Sequence, residues 1–139
     1  METSNKYKIL IVDNNPTYLK VLEFQLREII GVCIDRLDEA YNGLHAIEMI
    51  REQPYDIAFM DIDMPVLDGI DTARFFKLNH PQTRVVGLSL YTNSEYMNEM
   101  LEAGAKDFIV KDTLDELTLT KIFTALDEDM EGIKNMNLL

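Results

Sequence analysis

Five short apolar runs recur along the chain, each closed by polar or turn-forming residues and each followed by a stretch with helical spacing. Residues 7–12 (Tyr-Lys-Ile-Leu-Ile-Val) become continuously apolar and β-branched, the pattern of a parallel strand covered on both faces. Asp13-Asn14-Asn15-Pro16 closes that run, with Asn15 suited to cap a helix and Pro16 suited to its first position. Leu19, Leu22, Leu26 and Ile29/Ile30 then repeat at helical spacing opposite Lys20, Glu23 and Arg27, until Gly31 ends the helix. Residues 32–37 form a weaker strand, interrupted by Asp35 and Arg36. After Asn42-Gly43, residues 44–53 place Ala46, Ile47, Met49 and Ile50 on one side of a second helix that Pro54 breaks.

The same alternation continues. Residues 57–61 (Ile-Ala-Phe-Met-Asp) form a buried strand ending in an acid, followed by Met64-Pro65 and Asp68-Gly69. Ile70, Ala73 and Phe76 mark a third helix, capped by Asp68 and ended by Asn79-His80-Pro81. Residues 84–89 form a fourth strand ending in Ser89; a fourth helix follows over 94–103 and stops at Gly104. Residues 107–111 give a fifth strand ending in Lys111. From Leu114 the apolar spacing continues through Leu117, Ile122, Leu126, Met130 and Ile133. Five β-α units of this kind call for a doubly wound, five-stranded parallel sheet with helices on both faces and right-handed crossovers.

Length and composition narrow the function classes. At 139 residues the chain is one domain, with residues 1–126 as its body and 127–139 as an acidic extension of the fifth helix or a linker to an effector. A solvated extension is the favoured reading of that tail; a longer helix that pairs with another chain is the alternative. The net charge of -12 disfavours direct nucleic-acid binding. Cys33 has no cysteine to pair with, no apolar segment is long enough for a membrane span, and the first residues lack an apolar signal core, so a cytoplasmic protein is expected.

The chemistry gathers at the carboxyl ends of the strands, where open α/β sheets place their sites. Asp13 and Asn14 follow the first strand, Asp61 and Asp63 the third, Ser89 the fourth and Lys111 the fifth. Carboxylates, a hydroxyl and an ammonium converging in this way suit phosphoryl transfer. The oxygen donors favour Mg²⁺, Asp61 can act as nucleophile to give an acyl phosphate, and Lys111 with Ser89 can hold the phosphoryl oxygens.

These residues, in this order and spacing, resemble the receiver domain of two-component response regulators, and the resemblance spans about residues 7 to 126. It implies a flavodoxin-like fold, phosphorylation of Asp61 by a sensor histidine kinase or phosphotransfer protein, and Mg²⁺ held by Asp13, Asn14, Asp61 and the backbone carbonyl of Asp63. It further implies Ser89 as the switch hydroxyl, Phe108 as the switch aromatic and Lys111 as the phosphate-contacting lysine. The switched surface would be helix four, strand five and helix five, which also offers a homodimer contact.

Two positions depart from the family pattern. Asn14 stands where a second carboxylate is usual, which keeps an oxygen donor but removes a unit charge, an interaction of roughly 4 kcal/mol at 4 Å and an effective dielectric near 20 before hydration. Weaker Mg²⁺ binding is the expectation, and the Asp63 side chain is a candidate to restore the charge. Asp112 replaces the proline common after the lysine, so the Lys111–Asp112 bond should be trans. The Lys-Asp form, with Asn15-Pro16 and Ala103-Gly104-Ala105, leans toward the branch that carries a helix-turn-helix effector.

Two other readings compete. Asp61-Ile-Asp63 imitates the first motif of haloacid-dehalogenase-type phosphatases, but that motif belongs on the first strand, and here a strand with Asp13 precedes it. A receiver-shaped interaction module that takes no phosphate is the other, with Asn14 as its sign. His45 and His80 read as ordinary surface or loop residues, and Tyr91, Tyr96, Met97 and Met100 as either a partner surface or core.

Overall fold

A computed structural model describes residues 5–137, and side chains through residue 133. Its elements alternate: β1 (Tyr7–Val12), α1 (Pro16–Ile30), β2 (Ile34–Ala40), α2 (Gly43–Glu52), β3 (Ile57–Asp61), α3 (Gly69–Asn79), β4 (Arg84–Ser89), α4 (Ser94–Glu102), β5 (Asp107–Val110) and α5 (Glu116–Asn137). The five strands form one parallel sheet in the order β2-β1-β3-β4-β5.

Strand residues point alternately to two cores. Tyr7, Ile9, Ile11, Ile57, Phe59, Val86 and Leu88 pack with Leu19, Leu22 and Leu26 of α1 and Leu119, Phe123 and Leu126 of α5. Leu10, Val12, Ala58, Met60 and Val85 face the other way, onto Ala46 and Ile50 of α2, Ala73 and Phe76 of α3 and Met100 of α4. Burial on both faces is why β1, β3 and β4 read as unbroken apolar runs rather than alternating ones.

The caps follow the local sequence. Asn15 Oδ1 accepts from the N–H groups of Thr17 and Tyr18, with Pro16 opening α1. Asn42 accepts from His45 N, and Asp68 from Asp71 N. Each side chain answers a helix N–H that has no intrahelical partner.

The bounds of α2 and the end of α4 shift by a single residue from the sequence expectation, and three further elements differ from it. β2 begins at Ile34 and runs to Ala40, because Gly31–Cys33 forms a short 3₁₀ turn and pairing with β1 carries the strand onward, Val12 standing opposite Ala40. β5 stops at Val110, and Lys111 opens a second 3₁₀ turn. α5 starts at Glu116, where Asp115 Oδ1 accepts from Thr118 N, and continues as helix through Asn137. That helix takes in residues 127–137 of the tail, and residues 138–139 lie outside the described residues. Met130 packs against the core beneath α5. All described peptide bonds are trans, Lys111–Asp112 included.

Candidate phosphoryl-transfer site

The strand order reverses between β1 and β3, which opens a crevice at their carboxyl ends. Asp13, Asn14, Asp61, Asp63, Ser89 and Lys111 all line one cleft of about 220 Å³ there, together with Asn15, Leu90 and Tyr91. Topology thus brings together residues up to 98 positions apart. A larger groove, about 550 Å³ and lined by Pro54, Tyr55 and Met130 among others, lies at the opposite edge and holds none of these groups.

Asp13 is anchored on both oxygens. Its Oδ1 accepts from Asn15 N at 2.9 Å and its Oδ2 from Lys111 Nζ at 2.5 Å. Its own N–H donates to the Ala40 carbonyl. Lys111 also reaches Asp61 Oδ1, at 3.2 Å, so one ammonium serves two buried carboxylates. All three side chains are at most 6% exposed.

That sharing leaves Asp61 short of positive charge. Burial, then the Asp13 carboxylate, raises its carboxyl from 3.8 to about 6, against the opposing pull of Lys111; Asp63 adds a smaller upward push. A site with this much uncompensated carboxylate favours a cation. The oxygen-bearing groups that line it are hard: the Asp13 and Asp61 carboxylates, the exposed Asn14 amide and the exposed Asp63. Among the described residues no three His, Cys, Asp or Glu side chains cluster as metal ligands, so a cation here would be completed by carbonyl oxygen and water. This donor set fits Mg²⁺, which retains waters readily.

The loop after β3 is held under backbone strain. Leu67 N donates to the Pro65 carbonyl across Val66, a γ-turn whose central residue has φ 72°, costly for a β-branched side chain. Gly69 lets the loop return: a Cβ there would lie 2.2 Å from the Asp61 carbonyl oxygen, and its N–H donates to Ile62 O at 2.9 Å. The loop is thereby folded back against the strand that presents Asp61.

Ser89 is buried beside the cleft, its Oγ accepting from Tyr91 N at 3.1 Å. Phe108 stands apart from the cleft, half-buried against the core formed with α2, α3 and α4. It is next to Gly87, where a Cβ would come 3.2 Å from the Phe108 ring. Leu90 and Tyr91 line the cleft without having been picked out as site residues in the sequence. Their signal was position alone, directly after Ser89. Met100 is core, whereas Tyr91 and Tyr96 are 57% and 44% exposed.

The sequence model of the response regulator receiver domain family matches residues 9–123. The chain belongs to that family. This receiver domain is 34% identical over 113 residues to the transcriptional regulatory protein ZraR of Klebsiella oxytoca, a match covering 81% of the chain but 25% of ZraR. It is 33% identical over 106 residues to the chemotaxis protein CheY of Bacillus subtilis (strain 168), covering 76% of the chain and 85% of CheY. Among solved structures it superposes with a TM-score of 0.75 and 26% identity on a chain of the CheX-CheY-BeF3-Mg+2 complex from Borrelia burgdorferi, covering 88% of this chain and 90% of that one. The five-stranded flavodoxin-like fold is that of the family. ZraR is far longer than the shared domain, so the likeness to it concerns the receiver alone. Among the described residues no helix is long and apolar enough to cross a membrane.

Proposed function

We propose that this receiver domain takes a phosphoryl group on Asp61 from a histidine kinase or phosphotransfer protein and passes the change to a partner surface. The observation that carries the reading is the single Lys111 ammonium shared between Asp13 and Asp61 in the cleft at the strand switch point. An Asp61 carboxylate oxygen attacks the phosphorus of a phosphohistidine. The P–O bond of an acyl phosphate forms as the P–N bond breaks, and its electron pair leaves with the imidazole, which takes up a proton. Lys111 meets the developing charge on the phosphoryl oxygens, and Ser89 donates its hydroxyl to one of them. Asp13, Asn14, Asp61 and the Asp63 carbonyl would hold Mg²⁺, which when bound offsets the negative charge of carboxylates and phosphoryl group alike.

Phosphorylation adds charge beside Ser89, and Phe108, two residues before Val110 on the neighbouring strand, carries the change toward α4, β5 and α5. The exposed Tyr91 and Tyr96 support an output surface there, for a partner or a second copy. Apart from its own phosphorylation the domain turns over no substrate, and it acts in the cytoplasm where its kinase is. The transcriptional relatives support a DNA-binding effector as the output of a longer protein. The test is stoichiometric labelling: with acetyl phosphate and Mg²⁺ the parent gains one phosphate per chain, and Asp61→Asn gains none. A labelled Asp61→Asn moves the acceptor to another residue and overturns the assignment; an unlabelled parent overturns it too and leaves the interaction-module reading.

A further inference from the structure

One aromatic residue packed against Lys111 has a buried polar atom that its surroundings do not answer. Tyr18 lies in the first turn of α1 with its ring under Lys111, whose Nζ is 4.4 Å from the ring centroid. Its hydroxyl is buried and has no hydrogen-bond partner among the described residues. Burial, followed by the carboxylates of Asp13, Asp61 and Asp112, pushes the phenol far above its ordinary range, so it stays neutral. A tyrosine placed for its hydroxyl finds a partner when buried. Here it is the ring face, and not the hydroxyl, that meets a charged group of the site.

The ammonium itself needs such a surface. A lysine stem is long and flexible, and its charge is a point rather than a fork. Lys111 Nζ has Asp13 Oδ2 at 2.5 Å and Asp61 Oδ1 at 3.2 Å, with its side chain 6% exposed. Two carboxylates alone would let it settle fully on Asp13, the nearer one. An aromatic face at cation–π distance restricts where this largely buried ammonium rests.

We propose that Tyr18 is a positioning residue for phosphoryl transfer, its ring face holding the Lys111 ammonium between Asp13 and Asp61 where the incoming phosphoryl oxygens arrive. This rests on Asp61 being the phosphoacceptor. The ring, rather than the hydroxyl, is the acting part.

Three proteins test it: the parent, Tyr18→Phe and Tyr18→Leu. Two quantities are read, the rate of phosphorylation by acetyl phosphate with Mg²⁺ and the NMR shift of the Lys111 ε-methylene protons in metal-free protein. Tyr18→Phe should keep the parent rate within about twofold, and Tyr18→Leu should be about tenfold slower. The ε-protons should be shifted upfield by the ring in the parent and in Tyr18→Phe, and return to the ordinary lysine position in Tyr18→Leu. A Leu variant as fast as the parent overturns the proposal. So does a Phe variant as slow as Leu, because the hydroxyl would then be the acting group. If Tyr18→Leu does not fold, the parent decides: ε-protons without an upfield shift overturn the contact, and shifted protons retained in a fully active Phe variant support it. A parent that takes no phosphate defeats the phosphoacceptor reading and the positioning role with it; a phosphorylated parent matched by Tyr18→Leu defeats the positioning role alone.

Discussion

The two ends of the sheet treat buried polar groups in opposite ways. At the amino-terminal end every polar group named here has a hydrogen-bond partner. The Tyr7 hydroxyl donates to Asp127 Oδ1 at 2.5 Å, and Asn5 Nδ2 donates to the same oxygen at 2.9 Å. Asp56 accepts from Lys8 N, and the Thr83 hydroxyl donates to the Tyr55 carbonyl. Arg84 divides its guanidinium between Asp107 at 3.0 Å and Asp129 at 2.7 Å, joining β4, β5 and α5. At the carboxyl end two buried acids share one lysine, one acid is held partly protonated near neutral pH, and a tyrosine hydroxyl is orphaned. Matched polar groups bind elements together. Under-matched ones gather where the proposed phosphoryl chemistry would bring further charge.

The largest effect that can break this contrast is on stability against pH. Asp61 is raised from 3.8 to about 6 in the folded protein, which therefore binds the proton more tightly than the unfolded chain. The protonated form supports folding most below about pH 4, and that support is lost as pH rises through about 6. Asp61→Asn removes the cost. It should stabilise the metal-free protein by about 2–3 kcal/mol at pH 8 and by almost nothing at pH 4, read from denaturant unfolding. Equal stabilisation at both pH values would mean that Asp61 is as well matched as the groups at the other end.

Tyr7→Phe probes the answered end. Its hydroxyl is buried and bonded to a carboxylate, so its loss should cost about 2 kcal/mol in the same unfolding measurement. The rate of phosphorylation should stay within about twofold of the parent. A variant that loses phosphorylation at unchanged stability would erase the division of labour between the two ends.

Asp63→Asn gives the smallest change. Asp63 lines the cleft, is exposed, and already presses on Asp61 electrostatically. If it restores charge missing at Asn14, its neutralisation should weaken Mg²⁺ binding about fivefold by titration, the scale of one solvent-screened charge. Equal affinities for parent and variant would remove Asp63 from the metal site.

The carboxyl end of the sheet is largely legible in the sequence. The strands β1, β3 and β4 announce themselves because both faces are covered, so from Ile9, Ile57 and Val85 onward each run is continuously buried. Their ends are legible too, because an acid or hydroxyl after such a run can only stand at the sheet edge. β2 is harder: it lies at the edge of the sheet with Asp35 and Arg36 exposed, and its register is set by pairing with β1 rather than by its own pattern. The Tyr7–Asp127 bond, between residues 120 positions apart, is invisible because each residue is unremarkable in its own segment. Tyr18 is missed for a related reason. It follows the helix cap as any first-turn residue would, and only the fold lays its ring against Lys111.

The central claim is that Asp61, and no other acid at the crowded end, forms the acyl phosphate. Phosphorylating the protein with acetyl phosphate and Mg²⁺, then reducing it with borohydride, converts an aspartyl phosphate to homoserine at the residue that carried it. Peptide mass spectrometry should find homoserine at position 61 alone. Homoserine at Asp13 or Asp63, or none in a protein that has taken up phosphate, would contradict the account.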